Sequence, residues 1–218
     1  MDYLFFVDDI FNFPEEHAME ICEEMIKRNV DIGWACFATP KGMTKELAAA
    51  MKRAGCRAVE FGTDSGSEKM LSVLGKSFSL SDVEKATDIC RQAELPAAHY
   101  VIIGGHGEDK KTLNETFSFF DSIRPDSIIA LTGIRIYPNT WLQRASIEQG
   151  VIKEDTDLLS PRFYISPDLG EEYMLSSVKE RALSRDNWIV QALDIRCSSE
   201  TMTMLRKLGK RGPLWDML

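Results

Sequence analysis

The stretch Phe61-Gly-Thr-Asp-Ser-Gly-Ser67 decides the fold, because it joins the end of an apolar strand to the start of a helix. Three other stretches also place carboxylates, hydroxyls or glycines directly after an apolar run. They are Phe6-Val-Asp-Asp-Ile-Phe11, Ile102-Ile-Gly-Gly-His-Gly-Glu108 and Ile136-Tyr-Pro-Asn-Thr140. In a parallel βα architecture, the loops that leave the carboxyl ends of the strands converge on one rim, which holds the chemistry. The four loops therefore predict a small-molecule pocket at one edge of a parallel sheet.

Strand and helix patterns alternate around these loops. The apolar runs end roughly 25 to 41 residues apart, which is the length of one strand with its crossover helix. An antiparallel or purely helical fold does not produce this spacing. The sequence therefore predicts an α/β fold with five parallel strands, at residues 3–7, 31–37, 58–62, 97–103 and 127–136.

The pattern changes after residue 150. Residues 155–167 contain two prolines and predict an extended connector. Helical patterns then cover residues 171–183, 188–194 and 199–208. Because about 60 residues make a marginal core on their own, we expect a partial barrel over residues 1–155 and a helical extension over 156–218 packed on it.

Composition limits the possible partners and compartment. The 218 residues carry a net charge of -8, which argues against a nucleic-acid surface, since that needs a basic face. No apolar run approaches the roughly 18 residues that span a bilayer, and no signal segment opens the sequence. The five cysteines are odd in number and widely scattered, a pattern that suits unpaired thiols in a reducing compartment. We expect a cytoplasmic protein with neither a nucleic-acid nor a membrane partner.

Two of the loops carry candidate ligand-binding acids. Asp8 and Asp9 end the first strand and could receive an ammonium group, a hydroxyl or a metal, although aspartates also favour turns and helix N-caps. Asp64 lies between two glycines, where a carboxylate beside a closely approaching backbone suits a ribose diol. The alternative for that loop is a turn into a helix with Ser67 as its N-cap.

The other two loops offer backbone and a cation. Glycines after Ile102 and Ile103 let the backbone approach a planar ligand, but the Gly-Lys-Ser pattern of a phosphate loop is absent. Arg135 near the end of the fifth strand could bind a carboxylate with its planar fork. His106 is more consistent with a structural or solvent-facing role. No cysteine has metal-site spacing, so the sequence assigns neither a metal ligand nor a catalytic residue.

Taken together and in this order, the motifs resemble the radical S-adenosylmethionine (SAM) superfamily, especially the branch often preceded by a cobalamin-binding domain. The resemblance covers about residues 3–150, and continues more loosely through Arg162-Phe-Tyr-Ile-Ser-Pro167 and the tail from Leu205 to Trp215. It implies a partial, open TIM-type βα barrel of six units. This chain would supply strands two to six of that core, followed by a C-terminal helical annex.

The resemblance also implies roles for residues at the rim. It places Asp8 or Asp9 near the methionyl amino group of SAM, and Asp64 and Ser65 near the ribose and methionyl part. Residues implied to lie against adenine or near the pocket are Ile102 or Ile103, Gly104, Glu108 and Arg135.

The sequence departs from the family pattern at three of the matched positions. The family usually has glutamate where Asp64 stands, proline where His106 stands and glycine where Asn139 stands. These changes fall in the loops that the resemblance assigns to ribose and adenine, and in the turn after the fifth strand.

One larger departure concerns the iron–sulfur cluster. Members of this family hold a [4Fe-4S] cluster with a Cys-x-x-x-Cys-x-x-Cys loop, and the sequence contains no such loop. The cluster supplies the electron that cleaves SAM, and protein positioning does not replace it. We therefore expect the C-terminal part of an iron–sulfur oxidoreductase or methyltransferase, inactive alone. The parent protein would bind SAM and the cluster, act on a small-molecule substrate, and in this branch bind cobalamin through an N-terminal domain.

Two other hypotheses stay open at this point. The chain could be a non-enzymatic domain that binds a nucleoside-like ligand or a protein partner. It could also be an enzyme of another partial-barrel class, in which Asp8, Asp9 and Glu108 perform metal-assisted or acid–base chemistry. If the chain supplies only strands two to six of the core, the missing edge unit exposes the first strand, residues 3–7, and we expect a homodimer formed through that edge.

Overall fold

A computed structural model describes residues 3–190, 199–209, 212–213 and 215. Strands and helices alternate along most of this part of the chain. The strands are β1 (Tyr3–Phe6), β2 (Gly33–Ala38), β3 (Cys56–Asp64), β4 (Ala97–Ile103), β5 (Ser127–Thr132), β6 (Ile134–Arg135), β7 (Phe163–Tyr164) and β8 (Trp188–Val190). The helices are α1 (Glu15–Lys27), α2 (Lys45–Arg53), α3 (Glu68–Val73), α4 (Leu80–Gln92), α5 (Lys110–Ile123), α6 (Trp141–Glu148), α7 (Glu171–Ser184) and α8 (Ser199–Lys207).

Six strands form one parallel sheet in the order β1-β2-β3-β4-β5-β8. The α/β partial barrel predicted from the sequence is confirmed, and all five predicted strands are present. The fifth is shorter than predicted, because residues 134–135 leave the sheet as β6 and pair antiparallel with β7. Among the described strands, β1 forms one end of the sheet, and dimer formation through its edge stays a prediction.

The two faces of the sheet have different surroundings. Its outer face is covered by helices: Trp34, Cys36 and Phe61 pack with buried residues of α1, α2 and α4. Residues of β4, β5 and β8 pack in the same way with α5 and α7. The opposite face, called the inner face here, carries Ala35, Ala58 and Ala98 on three adjacent strands. Successive strand residues alternate between the two faces, which fixes which side chains point into the barrel.

Helix starts follow the expected side-chain chemistry. Thr44 accepts a hydrogen bond from the amide of Leu47, as threonine commonly does at an N-cap. Ser79 and Asp82 form a capping box at the start of α4. Ser67 is different: its hydroxyl makes no N-cap bond and instead donates to Glu115 at 2.6 Å. The loop before α3 is therefore fixed to α5.

The predicted helix at residues 188–194 is wrong over its described part. Trp188–Val190 is strand β8, paired with β5 through Ile128, Ile129 and Ala130. Apolar, β-branched residues fit a strand as well as a helix, and burial of Trp188 beside Phe117 and Phe120 decides between them. Residues 191–194 lie outside the described residues.

The division of the chain near residue 155 stays a prediction. Strand β8 lies after this position in the sequence but pairs with β5, which lies before it.

Replacing Trp188 by alanine tests the contribution of β8. We expect Trp188→Ala to lower the free energy of unfolding by about 3 to 5 kcal/mol, because removal of the buried indole leaves a cavity against α5. Urea unfolding followed by circular dichroism measures the change. Leu183→Ala is the matched control: Leu183 is 79% exposed and its replacement should change stability by less than about 0.5 kcal/mol. Equal effects of the two substitutions would contradict the placement of β8.

Candidate functional site

The carboxyl ends of the parallel strands bring several of the predicted site residues to one edge. The loop after β1 holds Asp8 and Asp9, both exposed to solvent. Asp64 ends β3, and its register partner in β4 is Val101. Ile102 follows Val101 directly, so the proposed ribose loop and the proposed adenine loop lie side by side. This neighbour relation follows from the register of two adjacent strands, which the sequence does not reveal.

Asp64 adopts an unusual backbone conformation and has a cationic partner. Its φ of 66° lies in the left-handed region, which only a few side chains tolerate. Its carboxylate pairs with Lys76, which also donates a hydrogen bond to the Gly62 carbonyl at 3.0 Å. Both side chains are partly buried. Lys76 was missed as a site residue, because in sequence it only follows the glycine that separates two helices.

Ser65 is engaged with the protein rather than turned to the rim. Its hydroxyl lies 3.1 Å from the Thr116 hydroxyl and accepts a hydrogen bond from the Ser67 amide. Gly66 is required here, since a Cβ atom would approach the Thr116 backbone to 2.9 Å. Ser65 thus holds the loop against α5, and the ribose role implied by the resemblance stays a prediction for it.

The two isoleucines of β4 point to opposite faces. Ile103 is fully buried in the outer core with Leu113 and Phe117 of α5. Ile102 is only half-buried, and strand alternation places it on the inner face. Of these two candidates for the adenine contact, the structure leaves Ile102 available and Ile103 committed to packing.

Gly104 continues β4 into a loop that a buried carboxylate holds. Its φ of 96° favours glycine, and a Cβ atom would meet the Met174 sulfur at 3.0 Å. The Glu108 carboxylate accepts hydrogen bonds from the amides of Gly104 and Gly105, at 2.5 and 3.2 Å. Glu108 therefore fixes the backbone of the glycine loop through these two hydrogen bonds. Burial raises the pKa of Glu108 to about 7, although both amide bonds oppose the shift.

Arg135 lies outside the parallel sheet. It belongs to β6, is exposed, and places its guanidinium 4.8 Å from the ring centre of Tyr137. His106 packs edge-on against Trp141 with ring centres 4.7 Å apart, and its Nε2 lies 3.3 Å from the amide nitrogen of Gln149. His106 therefore has packing and hydrogen-bonding partners within the protein, as expected for a structural role.

A buried histidine connects the strands beneath the rim. The His99 Nδ1 lies 2.7 Å from the Thr63 hydroxyl, and its Nε2 lies 3.1 Å from the Thr87 hydroxyl. Thr87 donates its proton to the Val83 carbonyl, so its oxygen accepts from Nε2 and the Thr63 hydroxyl donates to Nδ1. Burial lowers the pKa of His99 to about 3, which keeps the ring neutral. The network fixes Thr63, the residue before Asp64.

The described cysteines do not fit an iron–sulfur cluster. Cys22, Cys36, Cys56 and Cys90 are unpaired and buried beneath the outer helices. Burial raises the thiol pKa of Cys22 and of Cys90 to about 12, which opposes the thiolate form that binds iron. Within the described ranges, no group of three or more histidine, cysteine or acidic residues is arranged to hold a metal ion.

Fold and loops together define a partial βα barrel with acidic and glycine-rich loops at the carboxyl edge of its sheet. The chain belongs to the radical SAM superfamily, whose family model matches residues 6–120. Members of this superfamily use SAM and a [4Fe-4S] cluster. Asp64 offers a carboxylate and Ile102 an apolar side chain at this edge, whereas the described residues provide no group of ligands for the cluster.

Two curated proteins are also similar to the chain. The chain is 26% identical over 147 residues to an uncharacterized methyltransferase, PH0819, of Pyrococcus horikoshii, covering 67% of this chain and 32% of that protein. It is 29% identical over 112 residues to the anaerobic magnesium-protoporphyrin IX monomethyl ester cyclase of Cereibacter sphaeroides, covering 50% and 18%. The chain thus spans about a third or less of these curated relatives.

A solved structure supports the fold over nearly the whole chain. The radical SAM methyltransferase TsrM from Kitasatospora setae, solved with cobalamin and a [4Fe-4S] cluster, superimposes with a TM-score of 0.79 at 18% identity. The match covers 98% of this chain and 49% of TsrM. In the part of the chain that the structure describes, no helix is long and apolar enough to cross a membrane.

The buried carboxylate of Glu108 gives a pH prediction. Because its folded pKa of about 7 lies above the unfolded value of about 4.3, folding takes up a proton between these limits. The contribution of Glu108 to the free energy of unfolding should therefore be largest below about pH 5 and decrease as the pH rises to 8. The difference in free energy of unfolding between wild type and Glu108→Gln should change by on the order of 2 to 3 kcal/mol over this range. Glutamine keeps a carbonyl oxygen for the glycine amides but does not titrate.

Urea unfolding at pH 5, 6, 7 and 8 of wild type and Glu108→Gln measures this difference. Glu154→Gln, at an exposed position, is the matched control and should follow wild type. Parallel pH profiles for wild type and Glu108→Gln would show that the Glu108 carboxyl is not protonated on folding in this range.

Proposed function

We propose that this chain forms the nucleoside-binding part of a radical SAM enzyme of the methyltransferase type. The observation that carries the proposal is the placement of Asp64 at positive φ beside the end of β4, which contains Ile102 and is followed by Gly104. A carboxylate next to the half-buried apolar side chain of Ile102 suits a ribose diol joined to a planar base.

Charge supports the same assignment. SAM carries a positive sulfonium and amino group and a negative carboxylate. Asp8 and Asp9 are exposed at the edge that also holds Asp64, and Lys76 supplies a cation beside Asp64. This mixture of acids with one lysine matches a zwitterionic ligand with an additional cation. The assignment of Asp8, Asp9, Ser65, Glu108 and Arg135 to individual groups of SAM remains part of the proposal.

The finer reaction type rests on the relatives. PH0819 is named a methyltransferase and TsrM is a methyltransferase solved with cobalamin, so we propose methyl transfer with cobalamin supplied by a domain outside the described residues. The [4Fe-4S] cluster supplies the electron for SAM cleavage, and its ligands also lie outside the described residues. No finding tests the expectation that the chain alone is inactive.

Binding of a cluster-independent ligand tests the proposal. Methylthioadenosine contains the adenine, ribose and sulfur of SAM but lacks the amino acid group that the cluster chelates. We expect the chain to bind it, and Asp64→Asn to weaken binding by about tenfold, because a carboxylate accepts hydrogen bonds from a diol more strongly than an amide does. Isothermal titration calorimetry measures both affinities.

Asp88→Asn is the matched control, since Asp88 is an exposed acid on the outer helix α4 and pairs with Arg91. It should bind methylthioadenosine as wild type does. Absence of binding by wild type, or equal affinities for Asp64→Asn and Asp88→Asn, would contradict the proposed site. Tight binding of intact SAM by this chain alone would favour the non-enzymatic, nucleoside-binding alternative.

A further inference from the structure

A buried carboxylate lies on the inner face of the barrel, away from the rim loops. Glu60 of β3 is 4% exposed. One of its oxygens accepts a hydrogen bond from the Tyr100 hydroxyl at 2.9 Å, and the other accepts from the indole Nε1 of Trp215 at 2.8 Å. In the described part of the chain, both partners are neutral donors and Glu60 forms no ion pair. Burial and the adjacent Glu60 raise the pKa of Tyr100, which keeps its hydroxyl protonated as a donor.

The surface next to Glu60 is shaped for a flat ring. Ala35, Ala58 and Ala98 lie on three adjacent strands and form one cluster with the Trp215 indole. The three methyl side chains form an apolar floor under the indole, and larger side chains of β1, β5 and β8 pack against the same cluster, namely Tyr3, Phe5, Ile129 and Ile189. The result is a slot with an apolar floor and a hydrogen-bond acceptor at one end.

The side chain that fills the slot comes from the end of the chain. Trp215 is 155 residues from Glu60 in sequence and is 9% exposed. Between α8 and Trp215, Gly209 and Gly212 have φ values of 79° and 148°, which glycine adopts readily. One aromatic ring from the C-terminal segment thus packs on the inner face, against the three alanines.

We propose that this slot is a binding site for a planar aromatic ligand with an N–H donor, and that Trp215 occupies it in the described conformation. Glu60 selects the ligand by accepting its N–H, Tyr100 holds the carboxylate, and the three alanines support the ring. The ligand class names a substrate for the radical SAM function and rests on that proposal for its role. Binding itself requires neither SAM nor a cluster.

Removing the ring of Trp215 and adding indole tests the site. We expect Trp215→Ala to bind indole at least about tenfold more tightly than indene, because indene has the same shape but leaves the Glu60 carboxylate without a donor. The double variant Glu60→Gln, Trp215→Ala should lose most of this preference, to within about threefold, since an uncharged acceptor is weaker. Calorimetry gives the affinities and circular dichroism checks the fold.

Each outcome decides the matter. If Trp215→Ala is folded, equal affinities for indole and indene, or no binding of either, overturn the proposal. If it is unfolded without ligand, recovery of the fold with indole but not with indene supports the proposal, and recovery with both or neither overturns it. Loss of methylthioadenosine binding alone would refute the rim site and leave this one standing.

A measurement on the unaltered chain tests whether a ligand can displace the Trp215 ring from the slot. The indole N–H signal of Trp215, assigned by its loss in Trp215→Ala, should move toward the position of a solvent-exposed indole as unlabelled indole is added. The apparent affinity should be at least about tenfold weaker than for Trp215→Ala, because the ligand must displace the tethered ring. An unchanged Trp215 signal at roughly 10 mM indole, a concentration that detects millimolar binding, would show a fixed structural residue.

Discussion

The parallel pairing of β3 with β4 is the interaction on which the rest of the structure depends. Its register places Asp64 beside Val101 at the carboxyl edge, so a carboxylate loop and a glycine loop become neighbours. On the inner face the same pairing places Glu60 opposite Ala98, which brings a buried acid next to the alanine floor. His99, bonded to Thr63 across the two strands, holds this register from the outer face. One strand pair therefore positions both the rim site and the interior slot.

The alternating pattern was sufficient to predict the five strands of the sheet and the α/β fold. The spacing between apolar runs indicates a parallel sheet directly, because each interval holds one strand and its crossover helix. Local patterns fail where a distant partner decides. The intrinsic helix propensity of Trp188–Val190 is weak, and pairing with β5 outweighs it. The predicted helix is therefore a strand.

Site residues show the same limit. Ile102 and Ile103 are identical residues on opposite faces of β4. Only the packing of α5 on the outer face determines that Ile103 is buried in the core. Ser65 has a suitable hydroxyl for a ligand, yet Thr116, 51 residues later, engages it. Glu108 lies in the loop after β4, and its carboxylate faces the amides of that same loop. Lys76 and Glu60 could not be found from sequence, because neither has a local motif.

The central claim is that a nucleoside lies between the loops after β3 and β4. Amide chemical shifts in a ¹⁵N-labelled chain, followed during titration with methylthioadenosine, test it most directly. The largest changes should fall on residues 62–67 and 102–105, with little change in α1 and α2 on the outer face. The largest changes on the outer helices, with the two loops unaffected, would contradict it.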